Sequence, residues 1–190
     1  MADTYRVVRS PRPLVPGTRI VLRVDAGGLR PGNRVLVLLR PGGSDDGPRR
    51  VGTVGLVWGI EREDHGPDRL QVRGEVLVAV EAHHEGGRAD VVGIERDRAV
   101  DPAVLAEVQA LLRTYMGATA EAGGRGDIGV TLSQDPVVAS HQVASLVRIS
   151  APELQEVLEA GDTAARLRRL VAVLRRETGL LRSTMGGRGV

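Results

Sequence analysis

The spacing of apolar residues changes once along this chain, near residue 98, from a strand period to a helical one, and that change limits the folds open to it. From Tyr5 to about Arg96, short runs of Val, Leu and Ile are separated by Gly, Pro and Asp, the pattern of strands and turns. Strands are expected at Thr18–Val24, Arg34–Leu39, Val51–Ile60, Arg69–Val72, Glu75–Glu81 and Ala89–Glu95. In the first of these, Ile20, Leu22 and Val24 alternate with Arg19, Val21 and Arg23, so one face is apolar and the other mixed. The breaks are explicit, at Pro16-Gly17, Gly27-Gly28, Pro31-Gly32, Pro41-Gly42-Gly43, Gly66-Pro67-Asp68 and Gly86-Gly87. About six short strands at this spacing point to a small β-barrel or half-barrel, in which closure removes exposed edges.

From Asp101 the period is helical. Asp101-Pro102 and Asp135-Pro136 each put a capping acid before a proline at the first helical position. Leu105, Val108, Leu111, Leu112 and Tyr115 lie on one face of the first helix, which is expected to end near Gly117. A second helix is expected from Pro136 to Val147. Ser150-Ala151-Pro152-Glu153 has the spacing of a capping box and opens a third over Leu154–Ala160. Gly161-Asp162 stops it and caps a fourth, on which Leu167, Leu170, Val171, Leu174, Thr178 and Leu181 fall at helical spacing. Gly123–Gly129 reads as a linker, and the Gly-rich end Met185–Val190 as a frayed tail. The expected architecture is therefore α+β: a β-barrel over residues 1–98 and a bundle of about four helices over 99–190.

Composition narrows the chemistry. All 26 basic residues are Arg and none is Lys, which removes a phosphate-loop lysine, a Ser-Lys dyad and a Schiff base. There is no Cys and hence no thiolate metal site; together with an N-terminus that lacks an apolar leader, this gives an expectation of a cytoplasmic protein. With no Phe, one Trp and two Tyr, aliphatic side chains must fill the core, and a base-stacking platform for nucleic acid is poorly supplied. Arginines alternate with acids in Glu61-Arg62-Glu63-Asp64 and Glu95-Arg96-Asp97-Arg98, so a mixed solvated surface is expected rather than a basic stripe.

Four segments in order resemble the substrate-binding domain of Lon-type proteases. Leu14-Val15-Pro16-Gly17 is similar to that family's hydrophobic-Pro-Gly opening, and Val51-Gly52-Thr53-Val54-Gly55 to its V-G-T-V strand. Leu70–Val78 is similar to a V-x-V-x-G hairpin. Asp135-Pro136, Glu153–Glu159, Asp162, Arg166-Leu167 and Arg175–Thr178 resemble its C-terminal helical segment. Ala26–Pro31 departs from the family, standing where members carry a helix with an aromatic. The resemblance spans roughly residues 10–182. It implies a PUA-like β-barrel with a helical bundle and a non-catalytic role in binding unfolded or tagged polypeptides, with a separate protease as a further partner and no cofactor. The alternatives are an RNA-binding module, disfavoured by the composition, and an assembly domain.

Trp58, the only tryptophan, lies in Leu56-Val57-Trp58-Gly59-Ile60. Strict alternation puts it on a face with Leu56 and Ile60, opposite Val57. It either plugs an aromatic-poor core or sits at a rim and packs on a client side chain, and Trp58 with Val57 is the candidate substrate-binding pair. Other groups fit ordinary roles. His83-His84 point to opposite faces of a strand, so the pair is not a chelate, and no metal site is expected. Ser140-His141, adjacent on a helix, do not face each other. Asp45-Asp46 sit in a loop with no apolar surroundings to raise a pKa, and Arg125-Gly126-Asp127 belongs to the linker.

Overall fold

The computed structural model describes residues 3–40, 50–94, 99–123 and 129–186. Asp45-Asp46, most of Gly123–Gly129 and the end of the expected tail lie outside them. Ten elements follow in order: β1 (Asp3–Ser10), β2 (Arg19–Val24), β3 (Arg34–Leu39), β4 (Val51–Glu61), β5 (Asp68–His84), β6 (Arg88–Gly93), α1 (Pro102–Ala122), α2 (Pro136–Leu146), α3 (Ala151–Leu158) and α4 (Thr163–Gly186). Two compact units result, one of Met1–Arg96 with Ile149–Glu159, the other of Asp97–Arg148 with Ala160–Val190.

The first unit is a closed ring. Strands run β5-β4-β3-β1-β6, and β6 pairs back onto β5, with β2 added to the first half of β5. All pairings are antiparallel except β1 with β3. Two differences from the sequence reading stand out. The segment before Thr18 forms β1, which was not among the expected strands, and the expected hairpin over Leu70–Val78 is one continuous strand, β5.

Three β-bulges let the long strands change neighbours. Val54 pairs with Val76 and Gly55 with Gly74, which leaves Glu75 unpaired; Val57 pairs with Val72 and Gly59 with Gln71, which leaves Trp58 unpaired. Glu81 is the third extra residue, between Val80–Val91 and Ala82–Asp90. A bulge inverts the inside–outside alternation beyond it and bends the strand. β5 therefore serves two cores. Leu70 and Val72 join Val8, Leu14, Leu22, Val35, Val37 and Val57, whereas Val78 joins Leu36, Leu38, Val54, Ala89 and Val91. The second cluster, with Tyr5 and Val7 of β1 packed against it, draws on all five ring strands and is the ring interior. β3 is buried from Val35 to Leu39 because it divides the two cores.

Glycine makes this packing possible where the backbone is crowded. A Cβ on Gly52 would lie 2.4 Å from Leu38 Cδ2 and 2.8 Å from the Val37 carbonyl, and one on Gly74 would lie 2.7 Å from the Val15 carbonyl. The Leu14–Gly17 segment thus lies against β5, with the Gly17 amide donating to the Gly74 carbonyl over 2.9 Å. α3 completes the unit: the buried Gln155 amide donates to the Val51 carbonyl over 3.0 Å. The sequence reading places α3 in the helical half, whereas in the structure it groups with the strands.

Among the described residues the second unit holds three helices, with α4 packed on α1 and α2. The caps form as the sequence indicated. Asp101 Oδ1 accepts from the Ala103 amide and Asp135 Oδ1 from the Val137 amide, each over 2.9 Å. α1 continues past Gly117 to Ala122, and α4 continues to Gly186. No helix among the described residues is long and apolar enough to cross a membrane.

Candidate functional site

The chain's largest apolar side chain lies outside its core. Trp58 is 49% exposed, whereas Val57 beside it is fully buried among Leu14, Leu70 and Val72. Val57 therefore offers no surface to a client, which corrects half of the expected pair. The bulge explains why strict alternation misplaced the residues around it. With Trp58 as the extra residue, Ile60 moves to the inner face with Val57, and the indole is left projecting outward.

Three rows of cross-strand neighbours surround Trp58 on the outer face of β2, β5 and β4. The first runs Arg19–Arg73–Leu56, the second Val21–Gln71–Gly59, and the third Arg23–Arg69–Glu61. The Arg19 guanidinium lies 5.0 Å from the centre of the indole ring, within the range of a cation–π contact. Val21 is 53% exposed and, after Trp58, is the second exposed large apolar residue on this face. Gln71 covers Gly59, where a Cβ would meet its Oε1 at 2.9 Å. The Gln71 amide donates to Glu61 Oε1 over 2.7 Å, and Arg69 Nη1 lies 3.2 Å from Glu61 Oε2. Arg19, Arg23 and Arg73 have no carboxylate partner among the described residues.

The surface thus combines an exposed indole, a valine and four guanidiniums. Residue order concealed the arginine grouping, because the members come from two strands 46 residues or more apart, as Arg23 and Arg69 are. Such a face suits an apolar side chain flanked by carboxylates. A shallow depression beside α3, lined by Leu14, Val51, Thr53, Leu77 and Leu158, has no room for a water molecule and is not a ligand pocket.

The remaining candidates resolve into structural roles. Ser140 and His141 are buried on α2 and meet on Arg166 of α4, whose Nη1 lies 3.2 Å from both Ser140 Oγ and His141 Nε2. A guanidinium can only donate, so His141 Nε2 is an acceptor there, while the Ser140 hydroxyl donates to the Val137 carbonyl over 2.7 Å. Both the serine proton and the imidazole lone pair are committed elsewhere. The geometry is that of a core hydrogen-bond network rather than a nucleophile and base. His83 and His84 are exposed at the end of β5, with His84 Nε2 2.8 Å from Asp90 Oδ2. Among the described residues no three His, Asp or Glu side chains converge as metal ligands.

No protein-family model and no curated protein sequence matches the chain. Solved structures do. The chain is similar to the N-terminal domain of Mycobacterium avium complex Lon protease, with a TM-score of 0.70 at 20% identity, over 91% of this chain and 98% of that one. It is also similar to a Lon N-terminal domain protein from Xanthomonas campestris, with a TM-score of 0.61 at 20% identity, over 90% and 98%. The fold is that of a Lon N-terminal domain, and the resemblance carried by the four sequence segments holds at the level of structure.

Proposed function

We propose that this chain, built on the fold of a Lon N-terminal domain, is a non-catalytic module that recognises unfolded or tagged polypeptide segments in the cytoplasm and presents them to a separate protease. One observation carries the reading: the only tryptophan of an aromatic-poor protein is held outside the core by a bulge, beside exposed Val21 and a group of arginines. Interiors are the ordinary place for large apolar side chains, and exposed ones that cluster with cations mark contact surfaces. Trp and Arg are also the residue types that most often dominate binding energy. The commitments of Ser140 and His141 support a role without chemistry.

Trp58 reports on the test directly, because no other indole contributes emission. Titration with a reduced, carboxymethylated unfolded protein is expected to shift Trp58 emission to the blue as water leaves the ring. Trp58→Ala is expected to weaken binding about tenfold or more, the loss of roughly 2 kcal/mol typical of an aromatic anchor. Unchanged emission and unchanged affinity would remove the proposal.

A second reading draws on the same arginines: Arg19, Arg23, Arg69 and Arg73 share one face, as an RNA-contacting surface would require. A single aromatic and the Glu61 carboxylate among them disfavour it. Binding of a single-stranded RNA oligomer with a steep salt dependence, in place of the unfolded protein, would decide for this reading.

A further inference from the structure

We propose that β2 is a docking edge, to which an extended acidic polypeptide segment adds as a further strand. The inference rests on the recognition role above and specifies how that face holds its client.

Among the described residues, every strand of the ring pairs on both sides, whereas β2 pairs with β5 alone. The open side has a defined set of donors and acceptors. The Gly74 amide donates to the Thr18 carbonyl, which sets the phase of the β2–β5 ladder. Residues of an antiparallel strand alternate between facing their partner and facing away, so Ile20, Leu22 and Val24 bond to β5. Arg19, Val21 and Arg23 direct their amides and carbonyls to the open side. β2 contains no Pro and no bulge, two of the devices that protect edges from pairing.

The same three residues are exposed and project onto the face that carries Trp58. An added strand would place its own alternate side chains beside them, where opposite charges and apolar pairs stabilise and like charges oppose. Arg19 and Arg23 lack carboxylate partners among the described residues, as does Arg73 in the next row. The complementary client is therefore an extended segment with carboxylates facing Arg19 and Arg23 and an aliphatic residue facing Val21, an acidic–x–apolar–x–acidic pattern. Main-chain bonds would supply affinity, and the alternate side chains selectivity.

A short synthetic peptide in which threonines alternate with Glu, Val and Glu tests this with the full chain, read by Trp58 emission and calorimetry. It is expected to bind at low salt and to weaken as salt screens the charges, and its Lys-for-Glu counterpart is expected not to bind. N-methylation of alternate peptide amides is expected to lower affinity about tenfold in the phase that faces β2, and to have little effect in the opposite phase. Val21→Pro removes one open-side donor while sparing the β2–β5 bonds, and is expected to act in the same direction. The peptide variants make the result independent of how that substitution folds. If both N-methylated peptides bind as tightly as the parent while Trp58→Ala still weakens unfolded-protein binding, strand addition is wrong and recognition stands. If neither peptide nor unfolded protein binds, or only RNA does, the recognition reading fails along with it.

Discussion

Gly52 and Thr53 show what the Val51–Val54 motif does physically. Gly52 lets the Val37 carbonyl and the side chains of Leu36 and Leu38 approach closely, and the Thr53 hydroxyl donates to the Leu14 carbonyl in the core. Gly52→Ala is expected to lower unfolding free energy by about 1–3 kcal/mol, the cost of overpacking a full core, with the urea midpoint as the measure. At the same scale, sequence reasoning reached Trp58 but not its orientation. Period-two alternation assumes an unbroken ladder, and a bulge needs a partner strand before it can be recognised. Tyr115, expected on the apolar face of the first helix, is buried there, and its hydroxyl accepts from the Arg148 amide over 3.1 Å. Arg166 was noted only as part of a family segment. Nothing in its spacing signals that it gathers Ser140 and His141 in the core.

Helices were more legible than strands because their end signals are local. Asp101, Asp135 and Ser150 cap where their side chains predict, and the Glu153 amide donates to Ser150 Oγ over 3.3 Å. β1 was missed because its identity depends on distant partners, β3 and β6, and its Arg6 and Arg9 interrupt the apolar run. The placement of α3 was equally hidden, since an amphipathic helix does not state which unit its apolar face covers. Gln155 is the polar link that ties it there, to Val51. Gln155→Ala leaves the Val51 carbonyl without this donor and is expected to cost about 1–3 kcal/mol. Slower amide exchange elsewhere in the first unit than in α3 of this variant would confirm that the loss is localised.

For the whole molecule, two carboxyls held by neighbouring groups contribute to the acid side of the stability curve. The Thr4 hydroxyl and the His84 ring hold the Asp90 carboxyl below its ordinary value of 3.8. At Asp68 shielding from water opposes ionisation, but bonds from Arg62 and the Ala26 amide outweigh it, and the carboxyl is again held low. A carboxyl depressed in the folded state stabilises above its unfolded value and loses that contribution as pH falls through the folded one. The urea midpoint is therefore expected to be insensitive to these groups at neutral pH and to fall below about pH 4, with a shallower fall in Asp90→Asn. Ring closure itself was legible only as strand number and spacing; which strands meet was not, because the ring closes through β1, whose partners β3 and β6 are distant from it in sequence.

The route of the backbone limits how this protein can be divided. It leaves the first unit after Arg96, re-enters it for Ile149–Glu159 and leaves again. No single cut yields either half entire: a fragment ending near residue 98 forfeits α3, and its complement carries an orphaned helix whose Gln155 has lost the Val51 carbonyl it bonds. Excision of an intact receptor would instead require joining the segment that ends at residue 96 directly to the one that begins at residue 149.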